Sequence, residues 1–319
     1  MTDPWPATPA DAGPLRAAAD AALAAIDAPP MEIEPLRRGN RKQTAIARFE
    51  ERGPVVVQVC PERTWLRTEA ALLGELRRRT FVPVPPVLAA GTHEGVAYTL
   101  TAYVPGDDLH ERFVTLETDT QRDLVRWFGR ALARLHDTFG FDGYGPLMLS
   151  EGRFTAAHAD WGVWFREYAQ QAIDRLPSAF DSIRDELTAS IASAPNTAPE
   201  ARLFPWDFRP GNALVADGSV TAVLDWEAPL AGAPALSVAK SEYLVADWYV
   251  DDPALLRRAF RDGYATVRAY PSIAPAYRVA AIAESAIDSS GTVTNLRHPP
   301  VGRDESVAFH RDALVSVLE

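Results

Sequence analysis

A chain of 319 residues, 47% hydrophobic and 24% charged, has the material for two lobes with a sizeable core. Its formal net charge of −11, with the basic residues dispersed, makes a polyanion such as nucleic acid a poor partner. No run of about 18 apolar residues occurs, so no membrane-spanning helix is expected. The acidic opening Met1-Thr-Asp-Pro-Trp5 does not read as a secretory signal, and the lone Cys60 fits a reducing cytoplasm as a small buried hydrophobe.

Residues 1–30 form an N-terminal extension in which Pro14 to Ile26 is predicted helical, with Leu15, Ala19, Ala22, Leu23 and Ile26 on one face and Pro29-Pro30 as the stop. The pattern then turns to strands: Ile33 to Leu36, a polar turn over 37–43, the alternating run Thr44 to Phe49, and the β-branched run Val55 to Val59. Thr64 to Arg79 is predicted as a helix, with Leu66, Ala70, Leu73 and Leu76 at helical spacing and Glu69 in its first half. Val82 to Gly91 reads as a proline-punctuated linker, His93-Glu-Gly95 as a turn, and Val96 to Tyr103 as a buried strand.

Beyond residue 104 the chain reads as mainly helical. Leu124, Phe128, Ala131 and Leu135 mark an amphipathic helix ending at His136-Asp137, where a satisfied structural histidine is the better reading than a ligand. Phe141-Asp-Gly-Tyr-Gly145 is a tight glycine loop. Trp161, Trp164, Phe165, Tyr168, Ala172 and Leu176 mark a second helix, and further helices are expected over 236–250, 254–267, 277–287 and 306–318. The histidines and the cysteine lack zinc spacing, and no Gly-x-Ser-x-Gly elbow is present.

The stretch richest in chemistry is Phe204-Pro-Trp-Asp-Phe-Arg-Pro-Gly-Asn212, followed by Ala213-Leu-Val, an Asp217-Gly218 turn and Val220-Thr-Ala-Val-Leu-Asp225-Trp-Glu227. Asp-Gly between two short apolar runs is a strong hairpin signal. Asn212 and Asp225 supply hard oxygens of the kind Mg²⁺ takes when substrate phosphates fill its other positions. Asp207, off the metal, suits accepting a proton from a hydroxyl.

With Asp-x-x-Pro-x-Asn and then Leu-Asp-Trp-Glu, this stretch resembles the aminoglycoside phosphotransferase/choline kinase-like family. The resemblance runs from about residue 31 to 318 and implies an α+β, protein-kinase-like two-lobe fold. A small antiparallel β-sheet lobe would span 31–103 and a larger, mainly helical catalytic and acceptor-binding lobe 104–319. It implies transfer of the γ-phosphoryl group of ATP (or GTP) to a small-molecule hydroxyl, with Asp207 as catalytic base and Asn212 and Asp225 as Mg²⁺ ligands. The Gly39-Asn40 loop would cover the nucleotide phosphates, and the backbone of Ala102, Tyr103 and Val104 would meet the adenine. The family's acceptors are often cationic, such as amino-sugars or amino-alcohols, which makes Asp160, Trp161, Glu227, Asp247 and Trp248 acceptor-binding candidates.

The chain also departs from the family. The family pairs a glutamate such as Glu69 with a lysine in the third strand to hold the nucleotide's phosphates; Gln58 stands where that lysine is expected, which makes Glu69 and Gln58 nucleotide-binding candidates, the Gln58 amide as a donor without positive charge. Arg41 or Lys42 could supply the missing charge; Lys42 and Lys240 are the chain's only lysines. Pro205-Trp206 precedes Asp207 where the family has His-Gly, and Ser237 stands where it has an Asp. These departures leave open a second reading, a catalytically impaired, pseudokinase-like binding protein.

Overall fold

The computed structural model describes residues 12–36, 42–195, 197–295 and 297–319. Two compact units emerge. Unit 1 takes the chain up to Pro105 with two later returns, Met148–Phe154 and Thr221–Ala228; unit 2 takes Gly106–Leu147, Thr155–Val220 and Pro229–Glu319. The two returns have no counterpart in a single linear boundary near residue 104, and the second of them carries Asp225.

In unit 1, helix α1 (Ala12–Leu23) precedes strands β1 (Glu32–Leu36), β2 (Gln43–Arg48) and β3 (Val55–Cys60), then helix α2 (Arg63–Arg79) and strands β4 (Val87–His93) and β5 (Val96–Ala102). The strands form an antiparallel sheet of order β1-β2-β3-β5-β4. Strand alternation assigns its two faces. Val55, Val57 and Val59 are buried with Ala45, Ala47 and Leu100 against Leu15, Ala18, Ala19 and Ala22 of α1. The expected apolar face of the first helix is thus the cover of this sheet. Val56 and Gln58 alternate to the other face, where Gln58 lies opposite Thr44. The predicted linker over 82–91 instead enters β4 at Val87, because Glu94 (φ 45°) and Gly95 (φ 90°) give the left-handed turn that closes a tight hairpin onto β5.

Unit 2 begins with β6 (Asp107–Asp108), α3 (Leu109–Phe113), α4 (Thr118–Thr138), β7 (Gly140–Phe141), β8 (Tyr144–Ser150), β9 (Arg153–His158), α5 (Trp161–Asp174) and α6 (Arg184–Ala192). The tip of the β8–β9 hairpin is counted with unit 1. Next come β10 (Ala201–Pro205), β11 (Ala213–Ala216), β12 (Ser219–Val223), which runs on into unit 1, β13 (Pro229–Gly232) and α7 (Pro234–Glu242). Helices α8 (Ala254–Ala265), α9 (Pro275–Ser285) and α10 (Arg303–Leu318) complete it. The sheet orders are β7-β10-β13-β8-β9 and β12-β11-β6. The single helix expected over 236–250 is α-helical only to Glu242 and finishes as a π-helical turn, Tyr243–Asp247. Among the described residues no helix is long and apolar enough to cross a membrane.

Helices α4 and α8 approach so closely that each uses a glycine. A Cβ on Gly129 would fall on the Phe260 carbonyl oxygen, and one on Gly263 on the Arg126 carbonyl oxygen. Gly→Ala inside a helix ordinarily adds about 0.5–1 kcal/mol of stability. Here the sign should reverse, because backbone atoms must move: Gly129→Ala or Gly263→Ala should destabilise by about 1–3 kcal/mol. Urea denaturation checks this, and a stabilised variant would contradict the packing.

Candidate active site

Strand β10 pairs with β13, Pro205 opposite Pro229, and delivers the chain to Trp206 and Asp207. The loop is closed by its own backbone and side chains. Phe208 N–H donates to the Pro205 carbonyl (3.1 Å) and Asn212 N–H to the Arg209 carbonyl (3.0 Å). Phe208, 2% exposed, packs edge-on against Phe128 of α4, which pins the loop to the core. The Asn212 amide donates to both the Asp207 carbonyl and Asp207 Oδ2, each at 2.9 Å. Its Oδ1 is the atom suited to a metal. Arg209 Nε donates to Asp207 Oδ1 at 2.7 Å.

Burial works against the Asp207 carboxylate, but the Arg209 guanidinium, the field of Lys240 and the Asn212 amide together hold its carboxyl below the usual range. It is therefore ionised at neutral pH.

The departures at 205–206 have a structural answer in the same unit. Trp206, in place of the family's glycine, lies under Lys240, whose Nζ is 4.2 Å from the ring centroid. Lys240, 3% exposed, is ion-paired with Glu284, which also takes Arg175 at 3.1 Å. His136 is fully buried between the Tyr264 hydroxyl (2.8 Å) and Ser237 Oγ (3.0 Å), so Ser237 retains a partner for this ring. Its role is structural, as expected from the sequence.

In unit 1, the turn after β12 is fixed by Trp226, which is buried and donates Nε1–H to the Val223 carbonyl at 3.0 Å. Val223 N–H in turn donates to the Pro83 carbonyl at 2.8 Å. Between them Asp225 is held at φ 60°, a left-handed conformation that costs a non-glycine residue about 1–3 kcal/mol and recurs at functional positions. Asp225 Oδ1 lies 3.2 Å from Lys42 Nζ, with Glu69 Oε2 at 2.9 Å and Glu227 Oε2 at 3.3 Å from the same nitrogen. Burial alone would depress the Lys42 ammonium, but Glu69, Asp225 and Glu227 raise it well above its ordinary value. Glu69 is pushed upward by its burial, an effect that Lys42 opposes.

Lys42 thus meets Glu69, and Gln58 does not. Gln58 Oε1 lies 3.4 Å from the Thr99 hydroxyl across the sheet. Glu227, read from the sequence as a large-lobe acceptor contact, belongs to unit 1 beside Asp225. Gly39 and Asn40 lie outside the described residues. In the segment expected to meet the adenine, Ala102 N–H donates to the Pro86 carbonyl (2.9 Å) and Tyr103 N–H to the Pro54 carbonyl (3.2 Å), which limits these two residues to their carbonyl oxygens in any contact with a base.

The remaining acceptor candidates occupy structural positions in unit 2. Asp160 caps α5, accepting from Val163 N–H at 2.7 Å. Trp161 and Trp248, each 2% exposed, are built into aromatic clusters with Tyr144, Trp164 and Phe165 and with Tyr243, Phe309 and His310 respectively. Both Asp247 oxygens are taken by Arg257, at 2.7 and 2.8 Å. Asp247 borders a cavity of about 400 Å³ that is also lined by Arg257, Arg261 and Arg278, a poor place to gather a cation.

Together these features define the class: an α+β, kinase-like fold with an Asp-x-x-x-x-Asn loop on one unit and a strained aspartate beside a Lys–Glu pair on the other. The model of the phosphotransferase enzyme family (APH) matches residues 32–276, most of the chain, and the chain belongs to that family. No curated protein matches it. Among solved structures, aminoglycoside phosphotransferase APH(4)-Ia is similar with a TM-score of 0.63 at 15% identity, over 91% of this chain and 94% of that one. Macrolide 2'-phosphotransferase MphH from Brachybacterium faecium is similar with a TM-score of 0.57 at 17% identity, over 91% of this chain and 96% of that one. At these identities the likeness speaks for the fold.

Proposed function

We propose that this small-molecule phosphotransferase moves the γ-phosphoryl group of ATP or GTP to a hydroxyl of its acceptor, with Asp207 as the base and Asn212 and Asp225 as ligands of Mg²⁺. The observation that carries the reading is the Asp207 carboxylate, ionised and held between Arg209 and Asn212 at the end of β10. The residues fit the metal. Asn212 spends its NH₂ on Asp207 and so keeps Oδ1 as a hard donor, while three carboxylates around Lys42 leave unit 1 with surplus negative charge. Mg²⁺ held there would neutralise charge on the triphosphate. Asp207 orients the acceptor hydroxyl in line and takes its proton as the acceptor oxygen bonds to the γ-phosphorus and the γ-phosphorus–oxygen bond to the departing nucleoside diphosphate breaks. Arg209, bonded to the same carboxylate, fixes its rotamer and balances its charge.

A variant of APH(4)-Ia has been crystallised as a ternary complex with ADP and hygromycin B, which supports a nucleotide and an amino-sugar type of acceptor as the first classes to screen. The pseudokinase-like reading rests on Gln58 and Pro205; Lys42 on Glu69 and Lys240 on Trp206 weaken it. Nucleotide with Mg²⁺ should raise the melting temperature more than nucleotide with EDTA, since a ligand at 100 times its Kd adds about 2.7 kcal/mol. Asp225→Asn should erase that difference. An unchanged melting temperature with and without nucleotide, in either medium, would exclude a nucleotide role. An ATP-consumption screen over amino-sugars, amino-alcohols and small sugars then identifies the acceptor class.

A further inference from the structure

Strand β3 offers the nucleotide no cation, yet the residue that leads into β2 does. Thr44 of β2 lies opposite Gln58, so their side chains share one face of the sheet, and alternation gives Lys42 that same face. There its ammonium reaches Glu69, Asp225 and Glu227 within 3.3 Å, with a side chain 11% exposed. The three contacts differ in kind. Glu69 is 5% exposed and takes the ammonium on both oxygens, at 3.2 and 2.9 Å, whereas Asp225 is 43% and Glu227 22% exposed, each with a single longer contact. Separating a buried pair is costly; exchanging a solvated one costs little.

We propose that Lys42 is the phosphate-binding cation of this nucleotide site, supplied from the head of β2 instead of from β3, and that it exchanges Asp225 and Glu227 for phosphate oxygens when a magnesium–nucleoside triphosphate binds. The inference rests on the nucleotide reading given above. Glu69 is the fixed partner: it orients the Lys42 side chain in both states. Asp225 and Glu227 are the partners released, because a carboxylate engaged with a divalent cation no longer needs an ammonium. In the free chain Lys42 therefore stands in for the metal's charge at Asp225, and three carboxylates are never left without a counter-charge. Gln58 is a bystander of the site, turned toward Thr99.

The scarcity of lysine makes the test clean, since the full chain has only Lys42 and Lys240. An amine-reactive acyl phosphate of ATP, in which a lysine at the phosphates attacks the acyl carbon and releases ATP, should acylate Lys42 and spare Lys240. Excess Mg–ATP should block the labelling, and EDTA should reduce it, because the ammonium then stays on Asp225 and Glu227. By calorimetry, Lys42→Met should weaken Mg–ATP about tenfold or more, as expected for loss of a charge-assisted contact, while adenosine binds as before. The exchange Lys42→Gln with Gln58→Lys should recover part of the affinity, as the two positions share a sheet face. Mg–ATP binding that is intact in Lys42→Met, or acylation that avoids Lys42 in the unmodified chain, overturns this proposal alone. A chain that binds no nucleotide overturns it together with the functional reading. If Lys42→Met does not fold, the labelling of the unmodified chain decides the matter.

Discussion

Asp207→Asn is expected to lower kcat for phosphoryl transfer by about 10²–10⁴-fold, the usual contribution of a positioned general base, while Mg–nucleotide affinity stays near that of the parent. The reasoning starts from the two donors that surround the carboxylate. Asn keeps one oxygen for either Arg209 or Asn212, but its NH₂ must then face the other donor, so the loop loses one of its two side-chain hydrogen bonds to this group. On the nucleotide side, the Asn212 amide keeps its bond to the Asp207 backbone carbonyl in this variant, so its Oδ1 is still held in place without the carboxylate. A group held below the usual carboxylate range is a weak base, and this suits the chemistry: a loose transition state asks for orientation of the hydroxyl first and acceptance of its proton late. The acid limb of kcat/KM should accordingly not report Asp207 near neutrality. Single-turnover kinetics with saturating nucleotide separate the two effects; full activity in Asp207→Asn would remove this residue from the mechanism, and a matching loss of nucleotide affinity would make its role structural.

The parts of this site that follow local rules were legible in the sequence. The Asp217-Gly218 turn is one: both residues have left-handed φ, 49° and 71°, as a tight hairpin requires. The apolar face of α1 and the face of β3 follow from periodicity in the same way. What was not legible depends on pairing across the chain. Whether position 58 or position 42 reaches Glu69 depends on the pairing of β2 with β3, which puts Lys42 on the face that carries Gln58, and no local pattern encodes that; the only clue was that a chain so poor in lysine has one there. Strands β10 and β13 carry no strand signal in the sequence because they meet at Pro205 and Pro229, residues depleted from strands. Trp161 and Trp248 carried the aromatic signature of a ligand wall, which composition alone cannot distinguish from a core cluster. The unit assignment of Glu227 was hidden for a related reason: the chain returns to unit 1 for Thr221–Ala228 only.

A second large effect concerns stability against pH. His136 and His310 are both fully buried and neutral in the fold, with burial pushing their pKa values down to about 3 and about 4. His136 is further lowered by Arg268 and Arg202, whereas the Thr294 carbonyl opposes the shift at His310. In the unfolded chain both titrate near the ordinary histidine value of about 6.5. A folded-state pKa below the unfolded one means that the unfolded chain gains protons the fold refuses. Stability is therefore complete above about pH 6.5 and falls as the pH drops toward the folded values. From pH 7 to pH 5 each ring should remove about 2 kcal/mol, or about 4 kcal/mol for the pair. Glu69 and Asp247, raised by burial, act with the opposite sign, so the contribution of each ring is best read as a difference between chains. Urea midpoints at pH 7, 6 and 5 for the parent, His136→Gln and His310→Gln should show each variant less stable at pH 7, through loss of the bonds to Tyr264 and Ser237 or to Tyr243 and Thr294, but with a shallower decline. A slope unchanged in both variants would mean that neither ring is kept neutral by the fold.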